Sequence, residues 1–487
     1  MHTLFAKFKF ITIVKRRHHF FKSPQSNFSN SIKKGLIFCF SILMLAACKK
    51  NESRPSEGKT TQFHKSISSG ETYYQQPEII YSATNDLGEP SIVYWEDEGY
   101  EHSYLKWVQF KENGEPVFKK MLRPSGDPQI FWQTGFARTN NNEYVFSGSL
   151  WRRTDGFGDM FIATANESGQ LLKTKVISAN AGNKTIRGDK IFTTHDNGYL
   201  ITSFLFSPCI TKLNSDAVIE WSVNLENIKS TNRYFTAISS LTETKQGDII
   251  LALTNNSGDE YIMKMSAVGE IIWLKEYKLS NIDGHYEPIN IKYLVADEND
   301  NIYAFEEYFT AERILIIKTD KNGGATKVTS VDGDCRSLYD LQYTNQAFFL
   351  LTGTDNVTRC LHIQLNKELE IQKKGVVLSV GDLSSLPGKF FKSKDGEYTS
   401  FIIAGLDEDD KTGWQFLRLN NEWKYPCFNY TMPEFSISNH SEYETTNIDL
   451  ADIGFSLNPP SDYITTDDQF IMSDFSISNM EVTDYCK

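Results

Sequence analysis

The side chains able to do chemistry are few and scattered. Beyond the first fifty positions the histidines are His64, His102, His195, His285, His362 and His440. No two stand at a spacing that ligates one metal ion, and neither Cys-x-x-Cys nor His-Glu-x-x-His occurs, so no metal and no cofactor is expected. The acidic runs Asp297-Glu298-Asn299-Asp300-Asn301 and Asp407-Glu408-Asp409-Asp410 offer the hard oxygens that calcium takes. Neither has the spaced ladder and closing glutamate of a calcium loop, and both read as solvated turns. Asp155-Gly156-Phe157-Gly158-Asp159 places glycines in a hairpin connection rather than a phosphate cradle. There is no Gly-x-Ser-x-Gly elbow and no Gly-x-x-x-x-Gly-Lys-Ser/Thr loop, and no catalytic residue is assigned. Two carboxylates brought together across a ring from distant repeats would leave no local motif.

Cysteine chemistry begins with Cys48. Lys33-Lys34 precedes an apolar run, Gly35 to Ala47, that ends at this residue. A basic stretch followed by an apolar one of this length fits a secretory signal and is short for a permanent span. Leu45-Ala46-Ala47-Cys48 resembles the lipobox of bacterial lipoproteins, which implies cleavage before Cys48 and diacylation of its sulfur. The following Lys49-Lys50-Asn51-Glu52-Ser53-Arg54-Pro55-Ser56-Glu57-Gly58-Lys59 lacks apolar periodicity and reads as a flexible tether. Charged residues directly after such a cysteine favour the cell surface over the periplasmic face. Of the five later cysteines, Cys209, Cys335, Cys360, Cys427 and Cys486, the pair Cys427 and Cys486 is expected to fasten the tail to the last repeat, since an exported chain can form disulfides.

Charge points the same way. The 487 residues carry 62 acidic and 50 basic side chains, a net of −12, which argues against nucleic acid as a partner. Positions 1–47 hold basic but no acidic residues, so the body behind the leader is more anionic than the total indicates.

The elements that would position any site follow from a repeat. Ile210-Thr211-Lys212-Leu213-Asn214-Ser215-Asp216-Ala217-Val218-Ile219-Glu220-Trp221 and Ile262-Met263-Lys264-Met265-Ser266-Ala267-Val268-Gly269-Glu270-Ile271-Ile272-Trp273 are copies of one strand, turn, strand pattern. Weaker copies begin at Trp107, Phe161, Ile316, His362 and Phe416. Each follows a turn rich in Asp, Asn or Gly that feeds an aromatic or β-branched run, as in Asp196-Asn197-Gly198-Tyr199, and one further short apolar run precedes that. Units of about 50 residues with four short antiparallel strands and no amphipathic helix predict an all-β, seven-bladed β-propeller. Trp221 and Trp273, with Phe118 at the matching place, are read as packing between blades rather than a sugar platform. Lys212, Lys264 and Lys318 alternate with apolar neighbours and are read as solvated or at a blade edge.

Strand, Asp-x-Gly-Tyr/Phe turn, strand, Ile-x-Lys-Leu-Asx, turn and Trp together resemble the repeats of secreted and lipid-anchored β-propeller proteins of Bacteroidota, related in layout to quinoprotein-like propellers. The resemblance covers residues 76–435 and implies the fold. The Ala-x-Asp-x-x-Thr-Gly-x-x-x-Trp docking motif of quinoprotein dehydrogenases is absent, so their cofactor is not carried over.

The expected organisation is a lipoprotein signal peptide over 1–47, lipidated Cys48 and tether over 48–75, the propeller over 76–435, and a β-rich tail over 436–487. The tail is expected to cap the ring or lend a strand to its closing blade, with a small appended sheet as the alternative. The expected function is a non-enzymatic scaffold anchored in the outer membrane, binding an envelope protein complex or glycan. The alternative is a surface protein that binds or degrades polysaccharide in the central funnel, which would bring carboxylates, Tyr and Arg from different blades to one mouth.

Overall fold

A computed structural model describes residues 63–484, apart from 73–78, 86–88, 98–102, 112, 125–128, 153–157, 180–187, 205–207, 280–289, 309–312, 334, 336, 355–358, 379–388, 393–397, 407–410, 421–434, 442, 459–460, 462, 467–469 and 475–480. Apart from the short 3-10 turn Leu450–Asp452, its elements are strands. They form antiparallel sheets of four to five strands in chain order, a propeller-like all-β layout; two four-stranded runs, 188–228 and 233–279, join into one longer sheet. We number the repeats as units 1 to 7: 79–124, 129–179, 188–228, 233–279, 290–333, 337–378 and 389–420.

Turn chemistry sets the hairpins. Between the first and second strands of successive units, Asn142, Asn197 and Asp300 adopt positive φ of 66°, 64° and 62°, which residues with short polar side chains tolerate best after glycine. The turn backbone closes with Thr139 N–H donating to the Glu143 carbonyl at 2.8 Å and Thr194 N–H to that of Gly198 at 3.0 Å. Between third and fourth strands the left-handed position falls to Gly269 at 86° and Gly323 at 74°. Glycine is needed there twice over, because a Cβ would lie 2.9 Å from the ring of Trp221 or of Trp273 in the preceding unit.

Each unit buries both faces against its neighbours. One cluster joins units 3 and 4 through Leu200, Val223, Leu251 and Met263; another joins units 4 and 5 through Ile250, Ile262, Ile302 and Ile317. Units 1 and 2 meet around the fully buried Trp107, whose ring stands 4.7 Å from that of Tyr144. Trp221 reaches across as well, its indole N–H donating to the Ala267 carbonyl at 3.0 Å. The recurrent tryptophans therefore pack between units. The first strand of unit 7 touches that of unit 1, and Phe110 of unit 1 stands 5.9 Å from Phe416 of unit 7.

Two segments lie differently from their sequence reading. Within the stretch read as a tether, Phe63–Thr72 is a strand that pairs with Lys411–Asn420 and becomes the fourth strand of unit 7. The tether reading fails here because the backbone of 63–72 completes a sheet whose own repeat supplies only three strands. The tail also does more than serve one unit. Phe435–His440 pairs with unit 5, Tyr443–Ile448 with unit 4, Ile453–Asn458 with unit 3, Tyr463–Thr466 with unit 2, Phe470–Asp474 with unit 1, and Glu481–Asp484 with Phe63–Thr72 in unit 7. It adds a fifth strand to six units, running against chain order, and among the described residues it forms no separate sheet.

Candidate functional site

The inner edges carry a recurrent irregularity. In units 1 to 6 the ladder between first and second strands slips, at Ile80, Gln133, Asp189-Lys190, Ser239, Lys292 and Tyr339, with a second slip in unit 4 at Thr236. A bulge re-aims a side chain that regular alternation would place on a sheet face. The result is a concentration of charge on first strands that otherwise contribute to apolar cores.

Unit 5 presents Lys292, whose Nζ donates to Glu307 Oε1 at 2.6 Å; the same carboxylate accepts from the Leu338 N–H of unit 6. Unit 7 presents Lys389, with Nζ 3.4 Å from Asp340 Oδ1 of unit 6, while the Phe390 N–H donates to Asp340 Oδ2 at 3.2 Å. Tyr293 donates its hydroxyl proton to the Tyr339 carbonyl at 2.8 Å. Unit 3 presents Lys190, which donates to the Ser239 carbonyl of unit 4 at 2.6 Å.

These groups share one electrostatic environment. Burial lowers the Lys190 pKa, Asp189 offsets part of this, and the positive charges of Lys292 and Lys389 lower it further. Burial pushes the neighbouring Asp189 carboxyl up, tempered by Lys190. Burial works against the Lys389 charge, yet Asp340 and Tyr293 together hold its pKa above the ordinary lysine value. Burial raises Tyr293 to about 12. Ammonium groups from units 3, 5 and 7 thus act on one another electrostatically, among carboxylates from units 3, 5 and 6 and the Tyr293 phenol. Such a set can bind polar or charged ligands by directed hydrogen bonds and charge.

Deeper between units 4 and 5, Glu260 and Glu306 are 2% and 1% exposed. Glu260 accepts from Thr254 Oγ1 at 2.6 Å. Burial, with a smaller push from Asp259, raises Glu260 to about 8; burial and the facing Glu260 hold Glu306 well above the carboxylate range. At the turns joining first to second strands, a recess of about 540 Å³ is lined by residues including Phe136, Arg138, Phe192, His195 and Glu243. Its polar wall is internally matched, since the His195 N–H donates to Glu243 Oε2 at 2.8 Å and Arg138 meets Glu167 at 3.0 Å.

The repeated lysines correct the reading that placed them in solvent. Lys212 is 4% and Lys264 9% exposed. Lys212 Nζ lies 2.7 and 2.8 Å from the two oxygens of Asp196 and 2.6 Å from Thr194 Oγ1, and Lys264 Nζ lies 2.8 Å from Asp248. Each ties its third strand to the turn of its own unit. Lys318 instead reaches the next unit, 3.1 Å from the Lys367 carbonyl. Asp297 does turn work: it accepts from the Asn299 N–H at 2.8 Å and the Asn301 N–H at 2.9 Å.

Cys48, Cys427 and Cys486 lie outside the described residues, as do Asp407-Glu408-Asp409-Asp410. Cys209, Cys335 and Cys360 are buried and in no disulfide, in unit 3, between units 5 and 6, and in unit 6. Among the described residues no three His, Cys, Asp or Glu side chains are grouped to hold a metal ion, and no helix is long and apolar enough to cross a membrane. Sequence reasoning missed Asp189, Lys190, Lys292, Lys389, Asp340 and Glu307. The available signal was charge at one recurring place in strands of otherwise apolar pattern.

No known protein family matches the chain, and no curated protein matches it. Similar solved structures include a protein of unknown function from Bacteroides caccae, at 11% identity and a TM-score of 0.36 over 64% of this chain and 93% of that one. A protein from Lactobacillus plantarum is similar at 11% identity and a TM-score of 0.43, over 64% of this chain and 96% of that one. A variant of NanB sialidase from Streptococcus pneumoniae is similar at 10% identity and a TM-score of 0.38, over 73% of this chain and 69% of that one.

Proposed function

We propose that the chain is an outer-membrane lipoprotein whose units are seven blades of one closed propeller, and that this ring is a non-enzymatic scaffold for an envelope protein complex. The supporting observation is the double seam at unit 7, where an early strand and a late strand lie side by side while the unit's first strand touches unit 1. A ring fastened in this way holds its faces rigid for a partner. Anchoring rests on the lipobox resemblance at Cys48. Affinity purification from native membranes tests the scaffold: a stoichiometric envelope protein supports it, and an isolated monomer overturns it. A Cys48→Ala chain is expected to leave the outer-membrane fraction, and its retention there would defeat the anchor.

One observation favours a second reading. The inner-edge gathering of carboxylates, Tyr and Lys from different units has the convergence that a funnel site for polysaccharide requires, with Lys in place of Arg. Sedimentation with insoluble envelope glycans, and release of reducing ends from them, separates binding, degradation and neither.

A further inference from the structure

We propose that the inner mouth of the ring binds a small oxyanion, a carboxylate or phosphate group, with Lys190 as its anchor and Lys292 and Lys389 flanking it. The inference rests on the closed ring proposed above, in which units 3, 5 and 7 place these side chains around one axis.

The argument turns on which charges already have partners. Lys292 and Lys389 each have a carboxylate, and Glu307 and Asp340 are in turn held by the Leu338 and Phe390 N–H groups. Both pairs are therefore fixed and oriented from behind. Lys190 has only the neutral Ser239 carbonyl among the described residues, which leaves ammonium protons undirected. Asp189, its chain neighbour, offsets part of the Lys190 charge through space, and among the described residues no hydrogen bond or close ion pair joins the two. A recessed cation facing two other cations is costly to keep charged, and an anion between them removes that cost.

The chemistry of the surroundings narrows the class. Ammonium groups converging from three units suit the several lone pairs of a compact oxyanion better than a flat aromatic ligand. Asp189 beside Lys190 can take hydroxyl groups attached to that anion.

The test uses the full-length protein, with inorganic phosphate and glucuronate as the two oxyanion probes and glucose as the neutral control. Titration calorimetry is expected to show binding of phosphate, glucuronate or both, weakened by salt, with no heat from glucose. Lys190→Gln is expected to lose at least tenfold in affinity and Lys190→Arg to retain it. In parallel, acetic anhydride labelling mapped by mass spectrometry is expected to show Lys190, Lys292 and Lys389 protected together by the bound probe. Binding by phosphate alone points to a free phosphate or phosphomonoester ligand, and by glucuronate alone to an acidic sugar. If neither oxyanion binds, or Lys190→Gln binds like the parent, the site is overturned. An amine-reactive cross-linker of short span reports the axis independently. A Lys190–Lys389 cross-link without oxyanion binding removes the site and leaves the ring, whereas absence of that cross-link removes the shared axis and the site with it.

Discussion

The inner and outer edges of the units solve the same problem by opposite means. At the inner edge units 1 to 6 carry a bulge, and unlike side chains such as Lys190, Tyr293 and Lys389 bind across to an adjacent unit. At the outer edge six units accept a further strand through backbone ladders, and the added residues are largely exposed, as Ser436, Asn439, Glu444 and Thr446 are. The difference teaches that one edge depends chiefly on side-chain identity, whereas the other depends first on extended chain, pinned at a few places such as Ile453, Tyr463 and Phe470. An inner edge made this way diverges chemically from unit to unit. An outer edge made by backbone tolerates almost any side chain that points to water.

Removing the tail, residues 435–487, gives the largest expected effect, because six sheet edges lose their ladders together. Melting temperature should fall by about 10 °C, and exposed edges should produce concentration-dependent association visible by size-exclusion chromatography. A truncated chain that melts with the full one would show the outer edge to be dispensable.

Next comes the buried acid pair just behind the inner edge. Glu260 has a folded pKa of about 8, above its unfolded value, so the folded state holds the proton more tightly. Its contribution favours folding below the unfolded pKa and is lost as pH rises through about 8, reaching on the order of 5 kcal/mol of destabilisation in alkaline solution. Glu260→Gln should therefore raise the melting temperature at alkaline pH and leave it nearly unchanged in mild acid. An equal gain at both would remove the ionisation account.

Trp221→Ala should cost about 2 kcal/mol in chemical denaturation, through the lost ring contact on the Gly269 turn and the lost bond to Ala267. The smallest effect belongs to Ala217, which sits at φ 57° where units 4 and 5 use glycine. Ala217→Gly should relieve that backbone at the expense of a small buried methyl, for a net gain below about 1 kcal/mol.

Much of this layout is legible in the chain. Asp196-Asn197-Gly198 and Ser266-Ala267-Val268-Gly269 announce their turns because a left-handed residue must be supplied locally, and the strands between them carry apolar residues at regular places. Lys212 was harder to read. Period-two alternation puts it opposite Thr211 and Leu213, but in stacked sheets both faces are buried, so the opposite face was not solvent. The site at the inner edge is illegible for a different reason. A bulge breaks the period that would reveal orientation, and three units of chain separate Lys190 from Lys389, whose charge it feels. The tail's itinerary is hidden because backbone pairing leaves no residue code.

Phe63–Thr72, held between Lys411–Asn420 and Glu481–Asp484, links remote stretches of chain in one sheet. During translation this segment emerges long before either companion exists, and it travels without a mate through most of synthesis. Whatever keeps it extended until then guards the seam. A stop codon anywhere in the last few dozen positions is felt beside the earliest of the described strands.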